Sequence, residues 1–134
     1  MRLPRLAEDR GSAVVEFSLI SVLLVFLLFG VLQVAGLLYV RSVASAAAAD
    51  GARYAANADV GPAQGARRAS DLIGRGLGGG MAARLPCTGE LVADPQSRLA
   101  VSRVRCAGRI RSLLIPLGAF VRVRVTGQSL KDRP

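Results

Sequence analysis

The sequence predicts an α+β chain, in which a long amino-terminal transmembrane helix continues as a stalk and leads to a small helix and an antiparallel sheet outside the membrane. Three observations predict it. The 24 positions from Phe17 to Val40 carry no charge, an alanine-rich run follows from Ala44 to Ala49, and Val121, Val123 and Val125 alternate with Arg122 and Arg124 near the carboxyl end. A helix of the first length covers about 36 Å, more than a hydrocarbon core of roughly 30 Å. Apolar residues at period two mark a strand with one buried face. With 134 residues in all, there is room for one such helix and one small domain beyond it.

The span opens on a charge. Glu16 stands at its mouth, where an ionised side chain entering hydrocarbon costs about 2.5 to 3.5 kcal/mol, so a partner charge or a specific task is expected. Arg2, Arg5 and Arg10 precede the span and Arg41 alone follows closely, which favours a cytoplasmic amino terminus and places the bulk of the chain outside. Tyr39 beside Arg41 suits the outer interface, where a ring and a snorkelling guanidinium sit together. Within the span, Gly30, Gln33 and Gly36 recur every three residues and so share a helix face. Small residues with an amide permit close packing against another subunit, and glycine is also simply common in membrane helices.

Beyond Arg41 the alanines predict that the helix continues to about Ala58, ahead of Gly61-Pro62, with Asp50 and Arg53 spaced to pair on its surface. Pro62 opens a second helix that places Ala69, Leu72, Ile73, Gly76 and Leu77 on one face and Arg67, Arg68, Asp71 and Arg75 on the other. Gly78-Gly79-Gly80 reads as a flexible hinge. Short strands are expected at Leu91 to Ala93 and Leu99 to Arg105 around the turn Asp94-Pro95-Gln96-Ser97. Others follow at Arg109 to Ile115, ended by Pro116, and at Phe120 to Thr126. The valine face should pack on the alanine-rich helix. Cys87 and Cys106, the two cysteines, are expected to form a disulfide in an exported domain, stabilising it by about 3 kcal/mol in the chain-entropy picture.

Composition narrows the chemistry. Histidine is absent, which removes the commonest general base and metal ligand, so neither an enzyme nor a metal or cofactor site is expected. Thirteen basic and four acidic residues lie from Gly61 onward, against five of each before it, so this segment carries the whole net charge of +9. An anionic surface should attract it: lipid headgroups, wall polymers or DNA. Phe120 is the only aromatic residue there, so the stacking platform of a single-strand binder is missing and a nucleic-acid site is disfavoured. Two plainer readings stand beside these. Cleavage after Ala44-Ser45-Ala46 would make the span a secretory signal, whose apolar core is normally about 7 to 15 residues, and a simple single-pass anchor would leave Glu16 pointing to water.

The residues Arg10-Gly11-Ser12-Ala13-Val14-Val15-Glu16-Phe17, then Tyr39-Val40-Arg41 and Asp50-Gly51-Ala52-Arg53-Tyr54-Ala55, resemble the TadE-like proteins of tight-adherence (Tad) pilus systems, over roughly residues 10 to 58. The resemblance implies a type IV pilin-like signal cut between Gly11 and Ser12 by a prepilin peptidase. Glu16 and Phe17 then serve assembly, the carboxylate facing the new terminal amine or that of a neighbouring subunit. It implies a leader at 1–11, a transmembrane and stalk helix at 12–60 and a small extracytoplasmic domain at 61–134. The function implied is that of a minor pilin or pseudopilin held in the cytoplasmic membrane, with other pilus subunits and assembly-platform proteins as partners. Ser12 departs from the Phe found at the first mature position of many type IV pilins, and the early span lacks the proline that many TadE-like helices carry. The competing reading is a membrane-tethered basic module that captures anionic envelope polymers or DNA.

Overall fold

The computed structural model describes residues 8–111 and 120–131, with side chains from Gly11 onward. The leader positions before Glu8 and, of the strand expected at Arg109 to Ile115, the residues after Arg111, with Pro116, lie outside the described residues. Six elements follow in the order α1 (Glu8–Ala56), α2 (Pro62–Leu77), α3 (Gly79–Arg84), β1 (Cys87–Ala93), β2 (Ala100–Arg111) and β3 (Phe120–Leu130). The predicted α+β class is the observed one, with a long apolar helix first and a three-stranded antiparallel sheet of order β1-β2-β3 last.

One uninterrupted helix of 49 residues, about 70 Å long, forms both the apolar span and the floor of the domain. From Ala13 to Ala35 nearly every side chain is exposed, whereas Ala44, Ala47, Ala48 and Ala52 are buried. The change follows composition. A leucine- and phenylalanine-rich helix has a lipid-like surface, and an alanine-rich one lets other backbones come close. α2 lies across the alanine segment and the sheet covers the remaining side, so that Ile73 of α2, Leu85 after α3, and Val104, Cys106, Val123 and Val125 of the sheet close over the alanines. The expected packing of the valine face on the alanine-rich helix is therefore realised.

Glycines set the contact distances. A Cβ on Gly51 would stand 2.5 Å from the Gly65 carbonyl oxygen, and one on Gly65 equally close to the Gly51 oxygen, so α1 and α2 cross backbone to backbone. Gly127 does the same for β3, where a Cβ would fall 2.2 Å from the Ala48 oxygen.

Several boundaries differ from expectation. α1 ends at Ala56, two residues early, because the chain from Ala55 to Val60 turns around the ammonium group of Lys131. The glycine triplet, expected as a hinge, is drawn into the helices, with Gly79 and Gly80 opening α3. Gly78, at φ +90°, returns its N–H to the Gly74 oxygen at 2.9 Å and accepts from Met81 and Ala82, so it ends α2 and starts α3 without an intervening loop. That backbone conformation suits glycine alone. β1 begins four residues before Leu91, at the disulfide. The two strands expected around Gly108 are one, β2, because a glycine there admits the Arg84 carbonyl, 1.8 Å from where a Cβ would be, while pairing to β3 continues through it. Asp50 pairs with Arg68 of α2 at 2.6 Å, the partner expected on its own helix, Arg53, being exposed.

Candidate functional site

Three sets of residues singled out by the sequence are placed by the fold, and they do not form one site. Gly11, Ser12 and Glu16 lie at the far amino-terminal end of α1, where they line a shallow surface groove with Val15, Leu19 and Ile20. Ser12 and Glu16 are four apart, hence neighbours on one helix face. Phe17 projects beside them, 72% exposed, and Ser18 donates its hydroxyl to the Val14 carbonyl at 2.8 Å, the usual means by which a hydroxyl is accommodated in an apolar helix.

Farther along the helix, Gly30 has nothing within 4 Å of a built Cβ, and Gly36 is equally open. Gln33 and Gly36 line a groove of about 490 Å³ between α1 and the end of the β2–β3 hairpin, with Leu37, Val40, Met81, Ile110, Arg111 and Val121 among its walls. Gly30 lies three residues before Gln33, so each of the three is a neighbour of the next on the surface of α1.

At the domain, Cys87 and Cys106 face each other across β1 and β2 and are bonded, with S–S 2.02 Å. Cys106 is fully buried in the core, so the disulfide ties the edge strand to it. The outer face of the sheet is basic. Arg103 and Arg105 share Glu90, at 3.5 and 3.8 Å, while Arg109 stands directly opposite Arg122 in the ladder. On α2, Arg68 holds Asp50 and lies 5.1 Å from the Tyr54 ring centre. Its guanidinium is held above its ordinary pKa, first by the hydrogen bond to Asp50 and then by that group's charge.

Sequence reasoning missed one residue altogether. The Lys131 ammonium donates to the backbone oxygens of Ala55 at 3.0 Å, Val60 at 2.7 Å and Asn57, and so satisfies carbonyls left over where α1 ends. The signal was its singularity: among 18 basic residues it is the only lysine, and a compact, three-donor head fits a cluster of carbonyls better than a planar guanidinium.

Among the described residues, no group of three or more potential metal-ligating side chains is found. What the geometry offers is surfaces: an apolar helix with a carboxylate at its mouth, a groove beside its other end and a basic sheet face.

The family model described as TadE-like protein matches residues 11–53. Residues 11–53, within α1, are similar to that family. The match runs from Gly11 through Arg53, and so takes in the processing and assembly residues expected at Gly11, Ser12, Glu16 and Phe17 together with the apolar span and buried alanines of the core. No curated protein and no solved structure matches the chain.

Proposed function

We propose that this chain is a membrane-anchored minor pilin or pseudopilin that contributes to assembly of a Tad-type pilus. The observation that carries the reading is the TadE-like match at residues 11–53, with Glu16 at the mouth of an exposed apolar helix long enough to cross a membrane. In this reading a prepilin peptidase removes residues 1–11 on the cytoplasmic side. The amine released on Ser12 lies one helical turn from Glu16, or against the Glu16 of a neighbour, and the carboxylate gains the counter-charge that its position in the apolar phase requires. α1 then holds the domain on the extracytoplasmic side, and the role is structural, not catalytic. Its size beyond the helix separates it from the major pilins of such systems, expected to be little more than the helix.

The basic outer face of the sheet supports a second reading, a tethered module that captures anionic envelope polymers or DNA without polymerising. The two are separated by one experiment on the full chain in its membrane. Intact mass with and without a prepilin peptidase should show loss of residues 1–11 only with the enzyme, and Glu16→Ala should insert and be cut normally while yielding few crosslinked oligomers or fibres. An uncut chain that binds polyanion in a salt-sensitive way and stays monomeric would favour the second reading. The isolated segment from residue 61 is unsuited to the test, since Ala44 to Ala56 supply part of its core.

A further inference from the structure

We propose that the paired ends of β2 and β3 are a second membrane contact, which binds an anionic phospholipid with its phosphate on their arginine-bearing outer face and an acyl chain reaching past Arg111 into the groove beside α1. The inference rests on reading α1 as membrane-spanning and is independent of fibre assembly.

The depth of the hairpin follows from two contacts. Near its top, Gly127 of β3 meets the Ala48 backbone; near its end, Val121 shares a groove with Gly36 and Val40. Six strand residues cover about 20 Å and twelve helical residues about 18 Å, so β3 runs beside α1 back toward the apolar span. Arg41 is the first charge after that span, and Gly36 lies five residues, about 8 Å, to its apolar side. The hairpin end therefore sits at the boundary of headgroups and acyl chains, the depth reached by interfacial elements.

Its two sides match that boundary. Ile110 and Val121 face α1 across the groove of about 490 Å³, whose other walls include Phe29, Leu32 and Tyr39. Hydrocarbon is the solvent at that level, and an acyl chain fills such a groove. On the opposite side Arg109, Arg111, Arg122 and Arg124 are exposed, and Phe120, 55% exposed, lies under the Arg111 guanidinium at 6.0 Å. Among the described residues no carboxylate pairs with these four arginines, in contrast to Arg103 and Arg105, which share Glu90. Arg109 opposite Arg122 is a like-charge pair directly across a ladder, an arrangement that destabilises a sheet unless an anion lies between the charges. A phosphodiester does so, and guanidinium groups bind it in a bidentate manner. Lipid is favoured over a soluble polyanion because the groove and the arginines meet at Arg111, which takes part in both.

The chain contains no tryptophan, so a single one reports on its own surroundings. Full-length Phe120→Trp and Leu27→Trp variants, each checked for helix content and an intact disulfide, are placed in nanodiscs carrying lipids brominated at different depths. The proposal expects quenching of both, at position 120 by bromine near the headgroup. Quenching at 27 without quenching at 120 overturns the proposal and leaves the membrane reading standing; quenching at neither removes both. Lipid retention after extraction from an equal mixture of phosphatidylglycerol and phosphatidylcholine is then measured by native mass spectrometry. Each basic residue at an anionic surface contributes about a fivefold factor, so Arg109→Gln with Arg122→Gln should retain phosphatidylglycerol roughly 30-fold less well, and Arg109→Lys with Arg122→Lys should restore most of it. Equal retention of the two lipids, or a DNA duplex bound to the parent chain as tightly as the anionic lipid, would overturn it.

Discussion

Lys131 shows how much one side chain can hold. A cation at a helix carboxyl terminus complements the macrodipole, and here it also gathers three backbone oxygens that would otherwise face one another. Lys131→Met keeps the stem and removes the donors, and should lower the stability of the detergent-solubilised chain by about 1 to 2 kcal/mol, read as a fall in the midpoint of thermal unfolding. Asp94 governs the β1–β2 turn in another way. Its carboxylate accepts from the Ser97 hydroxyl at 2.6 Å and the Ser97 N–H at 3.0 Å, and these bonds, the hydroxyl first, hold its pKa below the usual aspartate value. A lowered folded-state pKa stabilises the turn above the unfolded value of about 4, and that contribution is lost as pH falls through the lower folded one. An NMR titration should place the Asp94 midpoint below the ordinary aspartate value, and Ser97→Ala should bring it back up. Neither residue announced its role by periodicity: the Asp94 turn was legible as composition, whereas the Lys131 contacts join positions some seventy residues apart, which no local pattern records.

At the scale of elements, legibility followed the kind of force involved. The apolar span and the valine alternation of β3 are set by hydrophobic burial, which leaves a period in the sequence, and both were read correctly. The crossing of α1 and α2 is set by the absence of side chains at Gly51 and Gly65, which reads from sequence only as a weakness of each helix. Glycine at 108 likewise looked like a strand break and is instead a place where the Arg84 backbone approaches. Gly51→Ala should therefore cost about 1 to 3 kcal/mol despite the better helix propensity of alanine, because a backbone oxygen stands where the methyl must go. Gly79→Ala, also helical and with nothing within 4 Å, should leave stability unchanged or raise it by up to about 1 kcal/mol. Urea unfolding of the two variants side by side distinguishes close approach from propensity. The candidate sites divide in the same way: Glu16 and the cysteines were visible as residue types out of place, while the grouping of arginines at the hairpin end required the register of β2 on β3.

At the scale of the whole molecule, the core formed by the described residues is small: its largest fully buried side chains are Ile73, Leu85, Val104, Cys106 and Ser102, and alanines make up much of the rest. Apolar burial scales with area, so an alanine-floored core stabilises weakly and a crosslink counts for more. Replacing Cys87 and Cys106 together by Ser should cost about 3 kcal/mol, with near-complete protease sensitivity of the segment after residue 84 while the apolar span, protected by detergent, remains intact on a gel. The uninterrupted course of α1 has a consequence of another kind. Because the same helix carries the exposed apolar surface and the buried alanines without a break, the compass bearing of the domain about the helix axis, relative to that surface, is set by residue count alone. Each residue turns the helix by about 100°, so one residue inserted beside Arg41 would swing the sheet by that angle and lift it by only about 1.5 Å, presenting neighbours around the helix with a different side of the same fold.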